Sequence, residues 1–248
     1  MARLIFIRHA HSIANEAGIL SGQLPGISLS KKGAKQAEEL VERIGAVEFD
    51  SVRVSPMQRC EETISPWVKS KYSKGMKRYL VDDALIEVDY GSWSGRKLSS
   101  LSREKLWKEI QSRPSTVVFP SGEKMKAMQK RAISSITQAV NESKKGTHLF
   151  VSHGDVVKAM VASLLKMKLD DFQTLVIDPA SITVIDFDGT KSRLLAFNDS
   201  STPLTSLAHM EKSTKALVGG GSRTVHKGRR CALEFCSLIQ SSDLSPAR

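Results

Sequence analysis

Residues 2–12 read ARLIFIRHAHS. Leu4 to Ile7 is a short continuous apolar run of the kind that forms a strand buried on both faces, yet it ends in Arg8, His9 and His11. Polar groups at the end of a buried strand either lie at a sheet edge or line a site. A second stretch, GTHLFVSHG at 146–154, repeats the grammar: an apolar strand, then His153-Gly154, then the helical sequence DVVKAMVASLLKM at 155–167. Between the two, DSVRVSP at 50–56 alternates as a short strand stopped by Pro56. It leads into a helix through QRCEETISPWVKSK, with a kink or restart expected near Pro66.

The remaining elements follow by periodicity. Ala34, Ala37, Leu40, Val41 and Ile44 recur at helical spacing within KKGAKQAEELVERIGAV, after a loop (AGILSGQLPGISLS, 17–30) whose composition marks turns. Helices are expected at about 99–112 and 122–144, separated by RPSTVVFPSGE, with Gly122 opening the second. SITVIDF and SRLLAFN form a hairpin through Asp188-Gly189. Alternating strands and helices predict an α/β fold, a three-layer sandwich with a mostly parallel central sheet and helices on both faces. This domain is expected over 1–203, and 204–248 reads as a flexible basic tail with Gly219 to Gly221 as linker.

Composition narrows the function classes. The chain has 248 residues, 40% of them hydrophobic, enough for a real core and unlike a collagenous, repeat or disordered sequence. No run approaches the roughly 20 apolar residues of a membrane span, and the four before Arg8 are too few for a signal-peptide core, so a cytoplasmic protein without a membrane partner is expected. Cys60, Cys231 and Cys236 make neither a disulfide framework nor a metal knuckle. Of the formal charge of +11, +4 falls in 206–248 and +7 is spread over the rest. That distribution does not call for nucleic acid, although it helps draw anionic substrates.

In open α/β sheets, sites form at the carboxyl ends of strands, where helix N-termini also point. Here those ends carry Arg8-His9, Ser55 with Arg59, and His153-Gly154. Phosphoryl transfer asks for this inventory, because the transferred group spreads negative charge over three oxygens that fixed cationic donors can hold. Arginine offers a planar fork that stays charged, and a neutral imidazole can attack phosphorus with its free ring nitrogen. His9 is the candidate nucleophile, His153 a phosphate donor, and Gly154 a point of close backbone approach. The leaving alkoxide needs a proton, and ALIEVDYGSWSG at 84–95 offers Glu87, with Asp89 as the runner-up.

IRHAHSIAN, SPMQRCEET, LIEVDYGSWSG, PSGE and VSHGDVV, in this order and spacing, resemble the histidine phosphatase superfamily in its phosphoglycerate-mutase-like branch, from residue 3 to about 199. The resemblance implies that Arg8, His9, Arg59 and His153 form a phosphate pocket, that His9 is transiently phosphorylated, and that Glu87 is the proton donor. It also places Asn15, Ser12 and Gly154 at the substrate, and it needs no metal or other cofactor. Two positions depart from the family pattern: Ala10 replaces a glycine and His11 a glutamate. The compact interval from Glu87 to His153 favours a phosphatase of small phosphomonoesters over a mutase-type phosphoryl transferase. A non-catalytic phosphoester-binding module is a further alternative. A metal site built on His9, His11 and Asp155 is disfavoured, since Arg8 would oppose the cation. Substrate specificity is expected in the loop at 16–28 and the segment 96–125.

Overall fold

The structure is a computed structural model, and residues 1–208 of it are described. The chain runs through β1 (Ala2–Arg8), α1 (Ile13–Ala17), α2 (Lys31–Ile44), β2 (Ser51–Val54), α3 (Gln58–Val68), β3 (Tyr79–Val81), α4 (Leu98–Leu101) and α5 (Lys105–Ser112). It continues through α6 (Met125–Glu142), β4 (Thr147–Ser152), α7 (Gly154–Leu164), β5 (Ile182–Phe187), β6 (Ser192–Asp199) and α8 (Leu204–Ala208). The six strands form one sheet in the order β3-β2-β4-β1-β5-β6. β3, β2, β4 and β1 are parallel, and β5 runs antiparallel between β1 and β6.

Both faces of β1 are buried, as its unbroken apolar run requires. Leu4 and Phe6 enter the core beneath α6 and α7, whereas Ile5 and Ile7 enter the core beneath α2 and α3. β4 divides the same way, with Phe150 on the first side and Leu149 and Val151 on the second. The strand period of two thus builds the three layers. Among the described residues no helix is long and apolar enough to cross a membrane.

Several elements differ from the sequence reading. The helix through Pro66 runs unbroken to Val68, because a proline in the last turn removes only one hydrogen bond before the helix ends. The expected helix over 99–112 is two short helices, α4 and α5, and the break sets Trp107 against Trp93, with ring centroids 6.4 Å apart. Gly122 does not open α6, which begins at Met125. It lies instead against the acid-bearing loop, where a Cβ would sit 2.3 Å from the Asp89 carbonyl oxygen. β3 and α1 went unread because three and five residues are too short to show a period.

The expected boundary at 203 also falls short. Leu204 is fully buried in the core beside α2, and Arg3, paired with Asp186 at 2.8 Å, donates from Nη1 to the Leu207 carbonyl oxygen. The packed unit therefore includes α8, and the rest of the expected tail lies outside the described residues.

In α2 the buried stripe is Gly33, Ala37, Leu40 and Ile44, while Ala34 faces outward. A Cβ on Gly33 would fall 1.9 Å from the His11 carbonyl oxygen, so only glycine lets the helix close on the segment following β1. Gly33→Ala is expected to cost about 2–3 kcal/mol through overpacking. Urea unfolding reads this as a lower midpoint at unchanged slope; a change within about 0.5 kcal/mol would contradict the contact.

Candidate active site

Sheet register assembles the site. β1 and β4 pair in parallel with Arg8 opposite Ser152, so the two strands end together. The next residues, His9 and His153, become neighbours, with ring centroids 5.2 Å apart at 61°. β2 ends alongside, and the Ser55 amide donates to the Val151 carbonyl (3.0 Å).

Hydrogen bonding fixes both imidazoles. His9 Nδ1 lies 2.8 Å from the Ala10 carbonyl oxygen, which can only accept, so Nδ1 carries the proton and Nε2 keeps its lone pair. Burial, reinforced by the Arg59 and Arg8 charges, holds the His9 pKa well below its ordinary value, so the ring is neutral. Arg59 Nη2 lies 3.1 Å from His153 Nδ1, and a guanidinium can only donate. Nδ1 therefore accepts, and the ring proton sits on Nε2, 2.7 Å from Ser55 Oγ. His153, also held neutral by burial and by Arg59, is in this tautomer an orienter of Arg59 rather than the anion donor expected from the sequence.

The two arginines leave donors to spare. Arg59 is fully buried at the second position of α3, and Nη2 also donates to the Gly22 carbonyl oxygen (2.9 Å), but Nε and Nη1 have no acceptor among the described residues. Arg43 and Arg53 leave only Nε without one, whereas Arg59 leaves two nitrogens. Arg8 Nη1 donates to the Ile177 carbonyl oxygen (2.6 Å) and leaves Nε. Buried cationic donors without acceptors are costly unless an anion completes them.

Glu87 closes the polar end. It is 8% exposed, its Oε1 accepts from the Val88 amide (2.9 Å), and its Oε2 lies 3.8 Å from His153 Nδ1. Burial, aided by the Asp155 charge and opposed by Arg59 and Arg8, pushes its pKa up to about 7. Asp89, the runner-up, does not line the cavity; its Oδ1 accepts from the Gly91 amide (2.9 Å) in the loop's own turn.

Arg8, His9 and Glu87 line one cavity of about 270 Å³ together with Asn15, Gly154 and Asp155, and Arg59 and His153 lie fully buried behind that lining. Gly154 lies close against Arg8, where a Cβ would stand 3.3 Å from Nε. Asn15 Oδ1 accepts from the Ser12 amide and hydroxyl (3.0 and 2.9 Å), which leaves the amide nitrogen for the cavity. Ser12 does not line the cavity: it is 1% exposed and its hydroxyl caps α1. His11 turns to Ser30 Oγ (2.8 Å), away from the cavity, so its departure from the family pattern lies outside the site. Among the described residues no group of three or more His, Cys, Asp or Glu side chains is arranged to hold a metal, the set His9, His11 and Asp155 included.

Some supports were not read from the sequence. Arg131 of α6 donates to the main-chain carbonyls of Ala84, Ile86 and Glu87 and pairs with Glu123, pinning the acid-bearing loop. Thr63 Oγ1 donates to the Arg59 carbonyl oxygen (2.6 Å) and accepts from the Ala10 amide (2.8 Å), tying α3 to the end of β1. Tyr90 donates to Asp155 Oδ2 at 2.9 Å. The glutamate of PSGE hinted at the first of these; nothing local signalled the others.

Known proteins resemble this chain in sequence and in fold. The chain is 29% identical over 203 residues to phosphoserine phosphatase 1 of Hydrogenobacter thermophilus, covering 80% of this chain and 92% of that protein. It is 28% identical to a 2,3-bisphosphoglycerate-dependent phosphoglycerate mutase of Thermoplasma acidophilum, covering 74% and 86%. Its fold matches that of YhfR from Bacillus stearothermophilus with a TM-score of 0.73 at 24% identity, over 81% of this chain and 98% of that one. Residues 4–200 match the histidine phosphatase superfamily (branch 1), and it is to this family that the chain belongs.

Proposed function

We propose that the protein hydrolyses small phosphomonoesters with His9 as nucleophile and Glu87 as general acid and base. The Nε2 lone pair of His9 attacks phosphorus, the P–O ester bond breaks, and the Glu87 carboxylic acid gives its proton to the departing alkoxide. Water then attacks the phosphohistidine and passes a proton to the Glu87 carboxylate. The P–N bond breaks, and inorganic phosphate leaves. Arg8 and Arg59 hold the phosphoryl oxygens throughout, and the N-terminus of α7 at Gly154 adds its partial positive charge. His153 fixes Arg59, whose Nη2 donates to the ring's Nδ1 at 3.1 Å.

The observation that carries this reading is the pairing of a neutral His9, its lone pair on Nε2, with buried arginine donors that have no protein acceptor. A cytoplasmic setting and a small phosphoester as partner belong to the same proposal. Mutase chemistry is the second reading, favoured by the Thermoplasma relative's name. Against it, among the described residues Arg8 is the only Lys or Arg lining the cavity, a poor fit to a second phosphate.

Rapid quench with a 32P-labelled ester tests the reading. Label is expected on the protein during turnover, stable to alkali and lost in acid as an N–P bond demands. Turnover without protein-bound label would remove the covalent step.

A further inference from the structure

We infer that the alcohol half of the substrate is an uncharged, apolar group of about one ring in size. This deepens the phosphatase reading and rests on it. Besides the groups already described, the cavity is lined by Leu20, Trp93, Leu98, Trp107, Ile110 and Phe119, with Ser21, Gln111 and Gln173 as its uncharged polar members. The aromatic part of this wall is preformed: Trp93 stacks on Trp107 at an interplanar angle of 21°, and Phe119 meets Trp93 edge-on at 5.8 Å. Trp93 and Phe119 are each 2% exposed, so their places are set by the core and not by a ligand. An apolar cavity of about 150 Å³ suffices for benzene, so about 270 Å³ has room for a phosphoryl group and one ring.

Charge gives an independent argument. Among the described residues the only Lys or Arg lining the cavity is Arg8, and the carboxylates that line it are Glu87 and Asp155. Arg59, behind the lining, is assigned to the phosphoryl group, and two other cations of neighbouring segments are engaged. Lys158 holds Gln173 Oε1 at 3.1 Å and lies over the Phe172 ring, and Arg96 pairs with Glu104. A carboxylate or second phosphate on the alcohol half would therefore be buried beside acidic groups with no cation of its own, which is costly. Both segments to which the sequence assigned specificity supply this wall, Leu20 from 16–28 and Leu98, Trp107, Ile110 and Phe119 from 96–125.

The test compares kcat/KM of the full-length protein for 2-phenylethyl phosphate, ethyl phosphate and 3-phosphoglycerate. The first two share alcohols of closely similar acidity, so their ratio reports burial of the ring and not leaving-group chemistry. The phenyl ester is expected to exceed ethyl phosphate by about 30-fold and 3-phosphoglycerate by more than about tenfold. Trp107→Ala, at a half-buried position, is expected to lower the phenyl ester's kcat/KM much further than that of ethyl phosphate. A wild-type ratio near one, a preference for 3-phosphoglycerate, or equal losses in the variant would each overturn the inference while leaving hydrolysis itself intact. If no ester turned over, p-nitrophenyl phosphate included, the phosphatase reading would fall first and this inference with it.

Discussion

His9→Ala is expected to lower kcat by about 10⁴-fold or more for every ester, whatever its leaving group. No other side chain at the polar end can take its place. The His153 lone pair, on Nδ1, is engaged by Arg59, and its Nε2 proton faces Ser55. Cys60 Sγ is 3.5 Å from that ring, but burial raises the thiol's pKa to about 12, so it supplies no thiolate. The variant should still fold: His9 makes one ring hydrogen bond, to its own neighbour's carbonyl, and alanine leaves the backbone bond from His9 N to the Ser152 carbonyl intact. Circular dichroism checks the fold, steady-state phosphate release the rate, and the quench experiment the loss of label. Retention of more than about a hundredth of the wild-type rate would remove His9 as nucleophile.

The second large effect depends on the leaving group. Glu87→Gln keeps the shape and the bond from the Val88 amide but cannot give up a proton. General acid catalysis contributes about 10²–10⁴-fold where the leaving alkoxide is strongly basic. Alkyl phosphates should lose rate in that range, while p-nitrophenyl phosphate, whose phenolate leaves without help, should lose less than about tenfold in its first step. The pH dependence has a definite sign. Glu87 acts as an acid only while protonated, and burial with the Asp155 charge holds its pKa up to about 7. For alkyl esters kcat/KM is therefore expected to fall as pH rises through about 7, and this limb should disappear in Glu87→Gln. Equal losses for both ester types would instead reassign the acid.

The two variants separate what each residue does to the phosphoryl group. In the proposed mechanism, loss of His9 removes the bond-forming atom for all substrates, and loss of Glu87 removes a proton that only some substrates need. Arg131 offers an intermediate case, since it holds the carbonyls of Ala84, Ile86 and Glu87 without itself lining the cavity. It positions the acid from behind.

By itself the sequence determined the order of the elements, the layering and the identity of the strand ends that matter. These are local properties: an apolar run such as Leu4 to Ile7 carries its own burial pattern, and Asp188-Gly189 its own turn. His9, Arg59 and His153 were legible because each follows a readable strand by only a few residues. Where a period was too short, as in β3, or where contact between distant segments decided, as at Gly33, Gly122 and Leu204, the sequence was silent or misplaced the boundary. Only the tertiary structure decided that Glu87 and not Asp89 lines the cavity and approaches His153, that Ser12 caps a helix outside the cavity lining, and that Trp93, Trp107 and Phe119 form one wall. The physical reason is that register, desolvation and the charge of a neighbour from another segment act through space. The proton on His9 Nδ1 and the raised pKa of Glu87 are properties of where the chain has brought those groups, and no stretch of sequence around either residue contains them.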